Sequence, residues 1–286
     1  MFRVRIGSLA VLLLAGMVCA QSPEMNSSDA TPTATKGHGM LIDVDGHKLE
    51  MLSEGDTGPI VVLESGFGAT TDFWRKVQDA ASSFAVVVSY DRAGVGKSEL
   101  TATPRTALNI AQELRSALHA AHFAPPYLLV GHSIGSFYIR VFAHTYPDEV
   151  CGMVFVDPVP EDFYQWMRLH QAEDWKQMEA ASSQLPEGLR NELAGKDESA
   201  EQARRAWPLP KVPMILLTAT KPMPPYFTPV TMQAWTEMHQ AFANKIQGIQ
   251  HITTDKSTHM VPLDQPELIV DAIRREIQSL SSKVNQ

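Results

Sequence analysis

The chain has 286 residues, 44% of them hydrophobic and 20% charged, which excludes a mainly disordered, collagen-like or coiled-coil protein. Its 32 acidic and 24 basic residues give a formal charge of −8, so no nucleic-acid partner is expected. Two cysteines cannot build a disulfide scaffold.

The first elements are those of an export signal. Arg3 and Arg5 form a basic start, residues 6–18 are mostly apolar, and Val18-Cys19-Ala20 puts small residues at −3 and −1 before Gln21. This order predicts a signal peptide over residues 1–20 and a secreted or periplasmic protein. The apolar stretch is shorter than the roughly 18 residues a membrane anchor needs, and no later segment reaches that length, so no membrane span is expected. Lipidation of Cys19 fits less well, because Gly16-Met17-Val18 lacks the leucine and small residue usual at such sites. Cleavage would leave Cys151 alone in an oxidising compartment, without an intrachain disulfide. Residues 21–38 are rich in Ser, Thr and Pro, with Met25 their one large apolar residue, and read as a disordered linker.

From residue 39 to 286 the pattern is that of an α/β domain. Residues 40–44 and 48–53 alternate around Asp45-Gly46, the sign of a hairpin. Apolar runs at 60–63, 85–89, 127–130, 153–156 and 214–217, with a weaker one at 249–253, read as strands buried on both faces. Helical stretches at 71–81, 106–121, 136–145, 231–243 and 265–279 separate them. Repeated βα units predict a mostly parallel sheet with helices on both faces. No strand-like run interrupts residues 157–213; stretches 162–181 and 189–205 look helical, so a helical cap insertion is expected over about 158–212.

The strongest chemical signal is Gly131-His132-Ser133-Ile134-Gly135, between a strand and a helix. A serine flanked by glycines on such a turn is a nucleophile elbow: the turn crowds its neighbours and lifts the hydroxyl above the sheet edge, and the helix start beneath favours negative charge. The base is expected at His259, in the loop between the last strand and the last helix. The other histidines fit less well: His132 is an elbow residue expected to point elsewhere, His119, His122 and His144 fall on or beside helices, and His251 lies in a strand. The acid is expected at Asp157, which ends a strand at the sheet edge where loops build sites. Asp255, four residues before His259, is the alternative. The stretch after 214–217, Thr218-Ala219-Thr220-Lys221-Pro222, has no carboxylate. An oxyanion hole is expected from the backbone N–H groups of Ile134 and Phe67, the latter in Glu64-Ser65-Gly66-Phe67-Gly68, where glycines let backbone approach a substrate.

Over residues 40–282 the chain resembles the α/β-hydrolase superfamily. The resemblance rests on Ser65-Gly66-Phe67-Gly68, on Tyr90-Asp91-Arg92-Ala93-Gly94-Val95-Gly96-Lys97-Ser98, on the elbow at 131–135, and on His259 before a helix. It implies an eight-stranded sheet, a cap after the sixth strand, and serine hydrolase chemistry without a cofactor. Family members often carry His-Gly where this chain has Ser65-Gly66, and many place the acid after the seventh strand. A subset resembling haloalkane dehalogenases places it after the sixth, matching Asp157. Those dehalogenases, like epoxide hydrolases, use an aspartate nucleophile, and Ser133 argues against both activities.

Two other patterns carry less. Asp91 to Ser98 ends in Gly96-Lys97-Ser98 like a phosphate-binding loop, but that motif begins with Gly, and Pro104 marks a later helix start; Asp91 and Arg92 read instead as braces of the loop. No cluster of Cys, His or carboxylates has metal spacing. Phe163, Trp166, Met167, Trp175 and Met178 in the cap, and Met223, Pro224, Pro225, Tyr226 and Phe227 after the seventh strand, could line an apolar pocket for a small acyl substrate or pack the cap on the sheet. The expected activity is cleavage of an ester or similar acyl bond. A peptidase or amidase, a cofactor-free haloperoxidase or lyase, and a non-catalytic binding protein on the same scaffold are the alternatives.

Overall fold

The computed structural model describes residues 38–225 and 227–284. The expected signal peptide and nearly all of the expected linker lie outside these residues, as does Tyr226. His38, assigned to the linker from sequence, already belongs to the first strand.

Eight strands form one sheet: β1 (His38–Val44), β2 (His47–Glu54), β3 (Ile60–Glu64), β4 (Val86–Tyr90), β5 (Tyr127–His132), β6 (Val150–Val156), β7 (Met214–Ala219) and β8 (Gln250–Thr254). Their spatial order is β1-β2-β4-β3-β5-β6-β7-β8. The β1–β2 hairpin and the β2–β4 pair are antiparallel; every other pair is parallel. The continuous apolar runs follow from burial on both faces. Leu129 and Phe155 point into one core, while Leu128, Val130 and Val154 point into the other.

Helices cover both faces. On one side α2 (Ala107–Ala120), α3 (Gly135–Thr145) and α8 (Pro229–Asn244) close the first core. On the other, α1 (Arg75–Ala81) and α10 (Pro266–Val284) close the second. The helix expected over 71–81 is a 3-10 turn at Thr71–Trp74 followed by α1, and a four-residue helix, α9 (Val261–Asp264), precedes α10.

The 57 residues between β6 and β7 are helical, as α4 (Phe163–His170), α5 (Ala172–Ser182), α6 (Glu187–Ala194) and α7 (Lys196–Arg205). Each of the two stretches expected from sequence is a pair of helices, broken near Gln171 and Gly195. Both ends of this insertion are held by Arg140 of α3, which is fully buried. Its Nη2 donates to Glu161 Oε1 at 2.8 Å near the insertion's start and to the Ala203 carbonyl at 2.6 Å near its end. The Trp207 ring lies 4.8 Å from the guanidinium and its indole N–H donates to Glu161.

Burial pushes the Glu161 carboxyl up, but the Arg140 charge and the bonds from Arg140 and Trp207 outweigh it and hold the group at about 2, against an ordinary 4.5. The folded carboxyl therefore titrates below the unfolded one. Its stabilisation is complete above about pH 4.5 and is lost as pH falls toward 2. Glu161→Ala strands a buried guanidinium, which cannot shed its proton, and is expected to cost about 3 kcal/mol in urea unfolding at pH 7. The difference between variant and wild type is expected to shrink below pH 4.5.

Candidate active site

The sheet brings the expected residues to one edge. Leu63 pairs with Val130 and Glu64 with Gly131, so the loops after β3 and β5 leave side by side at the point where the chain order reverses. His132 pairs with Val156, placing Asp157 one strand over. Val156 pairs with Leu217, and Ala219 with Thr254, which continues the row to the loop carrying His259.

At the elbow Ser133 has φ +55°, the left-handed region that ordinary side chains avoid. The flanking glycines are required by close packing. A Cβ on Gly131 would lie 2.8 Å from Ile139, and one on Gly135 would lie 2.7 Å from the carbonyls of both Glu64 and Ser65. The turn is held by Ser133 N–H donating to the Val156 carbonyl at 3.1 Å. The Ser133 carbonyl in turn accepts from Ser136 and Val159 N–H.

The structure brings Ser133, His259 and Asp157 into one hydrogen-bonded line. His259 Nε2 is 2.9 Å from Ser133 Oγ, and His259 Nδ1 is 2.6 Å from Asp157 Oδ2. A carboxylate only accepts, so Nδ1–H donates and Nε2 is left to accept the serine proton. Asp157 is buried, with φ +44°. Its Oδ1 accepts from Ala219 N–H at 2.9 Å and from the Trp235 indole at 3.0 Å. Burial pushes this carboxyl up; the bond and charge of His259, the nearby His239 and the Trp235 bond together hold it below its ordinary value. Asp255 is exposed in the turn after β8, and the imidazole Nδ1 is occupied by Asp157.

Ile134 and Phe67 both border the elbow. A Cβ on Gly66 would lie 3.2 Å from Ser133 Cβ, so the loop after β3 packs directly on the nucleophile candidate. Among the described residues the N–H groups of Ile134 and Phe67 have no protein acceptor. An oxyanion hole requires donors left free in this way.

His132 does not simply point elsewhere, as the sequence suggested. Its Nε2–H donates to the His259 carbonyl at 2.8 Å, and the two rings lie 4.8 Å apart. Burial, with the neighbouring His259, pushes it down to about 3, so it props the His259 loop as a neutral ring. Sequence reasoning also missed His239, in the middle of α8. Its Nε2–H donates to the Pro158 carbonyl at 2.6 Å, its Nδ1 accepts from Thr218 Oγ1 at 2.8 Å, and Thr218 accepts in turn from His251 Nε2. Burial pushes His239 down to about 4. The one signal available was a polar residue on the buried face of an amphipathic helix. Asp264, also missed, accepts from Thr258 N–H and Oγ and shapes the turn before His259.

The aromatic residues divide. Phe227 stacks on the His259 ring at 5.1 Å, Trp235 meets it edge-on at 5.4 Å, and Phe163 packs on Trp235 at 4.7 Å. Trp166 stacks against Phe163 and His170, and Met167 is buried in the core. Trp175 and Met178 instead line a cavity of about 310 Å³ with Arg190, Leu193 and Lys196. The loop resembling a phosphate cradle is filled by its own aspartate. Asp91 accepts from Thr71 N–H and Lys97 N–H, and a Cβ on Gly96 would lie 2.0 Å from Asp91 Oδ2. Among the described residues no group of three His, Cys, Asp or Glu could hold a metal ion, and no helix is long and apolar enough to cross a membrane.

Gly135→Ala is expected to lower stability by about 1–3 kcal/mol, the usual range for forced overpacking, since its Cβ meets two carbonyls that cannot rotate away. Urea unfolding checks this; a change below about 0.5 kcal/mol would show that the elbow has room.

Comparison with known proteins places the fold. A family model described as alpha/beta hydrolase fold matches residues 59–206. The uncharacterised protein YqjL of Bacillus subtilis (strain 168) is 26% identical over 225 residues, covering 77% of this chain and 84% of that one. Haloalkane dehalogenase DatA from Agrobacterium tumefaciens C58 superposes with a TM-score of 0.64 at 18% identity, over 86% of this chain and 98% of that chain. A thermophilic esterase from Thermogutta terrifontis gives 0.63 at 17% identity, over 85% and 99%; at such identities these two likenesses concern the fold alone. The matched segment runs from β3 through the elbow and the helical insertion, and the chain belongs to the alpha/beta hydrolase fold family.

Proposed function

We propose that this hydrolase cleaves a carboxylic ester or similar acyl bond through Ser133, His259 and Asp157. The observation that carries the reading is the hydrogen-bonded line from Asp157 Oδ2 through His259 to Ser133 Oγ, at 2.6 and 2.9 Å. His259 Nε2 takes the serine proton as Oγ attacks the carbonyl carbon. Asp157 fixes the tautomer that leaves Nε2 free and stabilises the imidazolium. The N–H groups of Ile134 and Phe67 bind the oxyanion. The imidazolium then protonates the leaving alkoxide, and water, deprotonated by the same histidine, releases the acid. A serine at the elbow, in place of a carboxylate, supports acyl transfer over the reactions of the dehalogenase neighbours.

The substrate we propose is small and apolar at the group beside His259. Phe227, half-buried and stacked on the His259 ring, is the aromatic surface there, with the buried Trp235 and Phe163 packed behind it, and such a surface favours an apolar acyl or alcohol group by burying it.

A fluorophosphonate probe tests the nucleophile. Wild type is expected to label at Ser133 and to turn over short chromogenic esters, and Ser133→Ala to do neither while staying folded. Asp157→Asn is expected to lose about 10⁴ in turnover, whereas Asp255→Asn keeps wild-type turnover. The reverse pattern would move the acid to Asp255.

Export is proposed from residues 1–20 alone. The protein recovered from its native host is expected outside the cytoplasm, beginning at Gln21. N-terminal sequencing checks this, and recovery of unprocessed Met1 protein from the cytosol would contradict it.

A further inference from the structure

Arg92 joins the helical insertion to the loop that carries Phe67. It is 1% exposed, in the segment after β4, and all five of its N–H groups are used. Nη1 donates to Glu64 Oε1 at 2.7 Å and to the Ser65 carbonyl at 2.8 Å. Nη2 donates to the Gly66 carbonyl at 2.7 Å. The remaining two form a fork on Glu192: Nη2 to Oε1 at 2.7 Å and Nε to Oε2 at 3.1 Å. Glu192 belongs to α6 of the insertion and is itself 1% exposed. The same helix presses backbone to backbone on the Arg92 segment, since a Cβ on Gly188 would lie 2.0 Å from the Gly94 carbonyl.

The planar trans peptide turns these contacts into an orientation. A carbonyl and the N–H that follows it point in opposite directions. A guanidinium that holds the Gly66 carbonyl beneath the loop therefore turns the Phe67 N–H out of the opposite side. The bidentate grip of Glu192 fixes the plane of the guanidinium, and with it the aim of Nη2. Without that grip Arg92 is left on Glu64 and the Ser65 carbonyl, the Gly66 carbonyl keeps only the longer bond from Ala69 N–H at 3.3 Å, and as it tilts the Phe67 N–H tilts with it.

We propose that Glu192 and Arg92 are positioning residues for the oxyanion hole, through which the docked insertion orients the Phe67 N–H. The inference rests on Ser133 being an acyl-transfer nucleophile. A donor aimed at the oxyanion acts mainly in the transition state. Loss of aim should therefore fall on kcat and on tetrahedral adducts, while ground-state binding is kept.

The test is Glu192→Gln in the full chain, which keeps the size and one acceptor but removes the charge and half of the fork. Against a chromogenic ester, kcat is expected to fall about tenfold, short of the 10²–10³ for deleting a donor outright. KM should stay within about twofold, and the inhibition constant of phenylboronic acid, whose serine adduct is tetrahedral, should rise by about the same factor as kcat falls. Glu192→Asp keeps the charge but withdraws it by one methylene. It is expected to lose about threefold, and it carries the test alone if Glu192→Gln does not fold. Unchanged kcat and boronate affinity would overturn the proposal, as would a loss confined to KM. An inactive wild type whose Ser133 takes no fluorophosphonate would instead remove the underlying functional reading. An active wild type with an indifferent Glu192→Gln removes only this inference.

Discussion

At Ser133 a fully buried central strand turns into a helix within three residues, and the backbone does so at φ +55°. Such a conformation costs on the order of 1–3 kcal/mol and persists only where its surroundings over-determine it. Here they do: β6 fixes the Ser133 N–H, while α3 and the start of the helical insertion fix its carbonyl. Asp157, at the end of the adjacent strand, carries the second strained backbone at φ +44°, held by its N–H to the Leu217 carbonyl at 2.8 Å. Two of the four described non-glycine residues with positive φ are thus neighbours at one sheet edge, facing the same imidazole.

The chemistry we assign follows from how charge is confined around that edge. Three imidazoles lie close together, and each is constrained by different partners. His132 and His239 are buried, are pushed down by that burial, and donate to backbone carbonyls. Of the three, His259 is the one that hydrogen-bonds the Asp157 carboxylate with one nitrogen and the Ser133 hydroxyl with the other. Asp157 keeps its charge in a buried place because His259, the Trp235 indole and the Ala219 N–H donate to it, and that charge governs which nitrogen of His259 holds the proton. On the other side of the elbow the cation of Arg92 is fully clamped and unavailable to a ligand. Its influence on the reaction then runs through the peptide groups it holds.

Much of this was legible in the sequence. The strands were readable because each buries both faces, so their apolar runs are continuous. Val86–Tyr90 and Met214–Ala219 differ from expectation by only one or two residues at the ends, where Tyr90, and Thr218 with Ala219, continue the ladder. The elbow was readable because steric crowding admits only glycine at 131 and 135. Asp157 was readable from its place at a strand end, and His259 from the loop between the last strand and the last helix. What stayed hidden depends on side chains meeting across long stretches of chain. Arg92 and Glu192 are 100 residues apart, and nothing in either segment names the other. His239 sits where helical periodicity asks for an apolar residue, and its partners come from β7 and the segment after Asp157. The breaks within the insertion, at Gln171 and Gly195, were hidden because its charged helices lack the apolar rhythm that marks ends.

Acyl transfer at the elbow requires Ser133 Oγ to form a covalent acyl-enzyme. Rapid acid quench during turnover of a slow ester, followed by mass analysis of the tryptic peptide from Ser116 to Arg140, tests it directly. This peptide is expected to gain the mass of the acyl group at Ser133, and the adduct to accumulate further in water-poor solvent. Steady product formation with no adduct on this peptide, or with an adduct on an aspartate elsewhere, would contradict it.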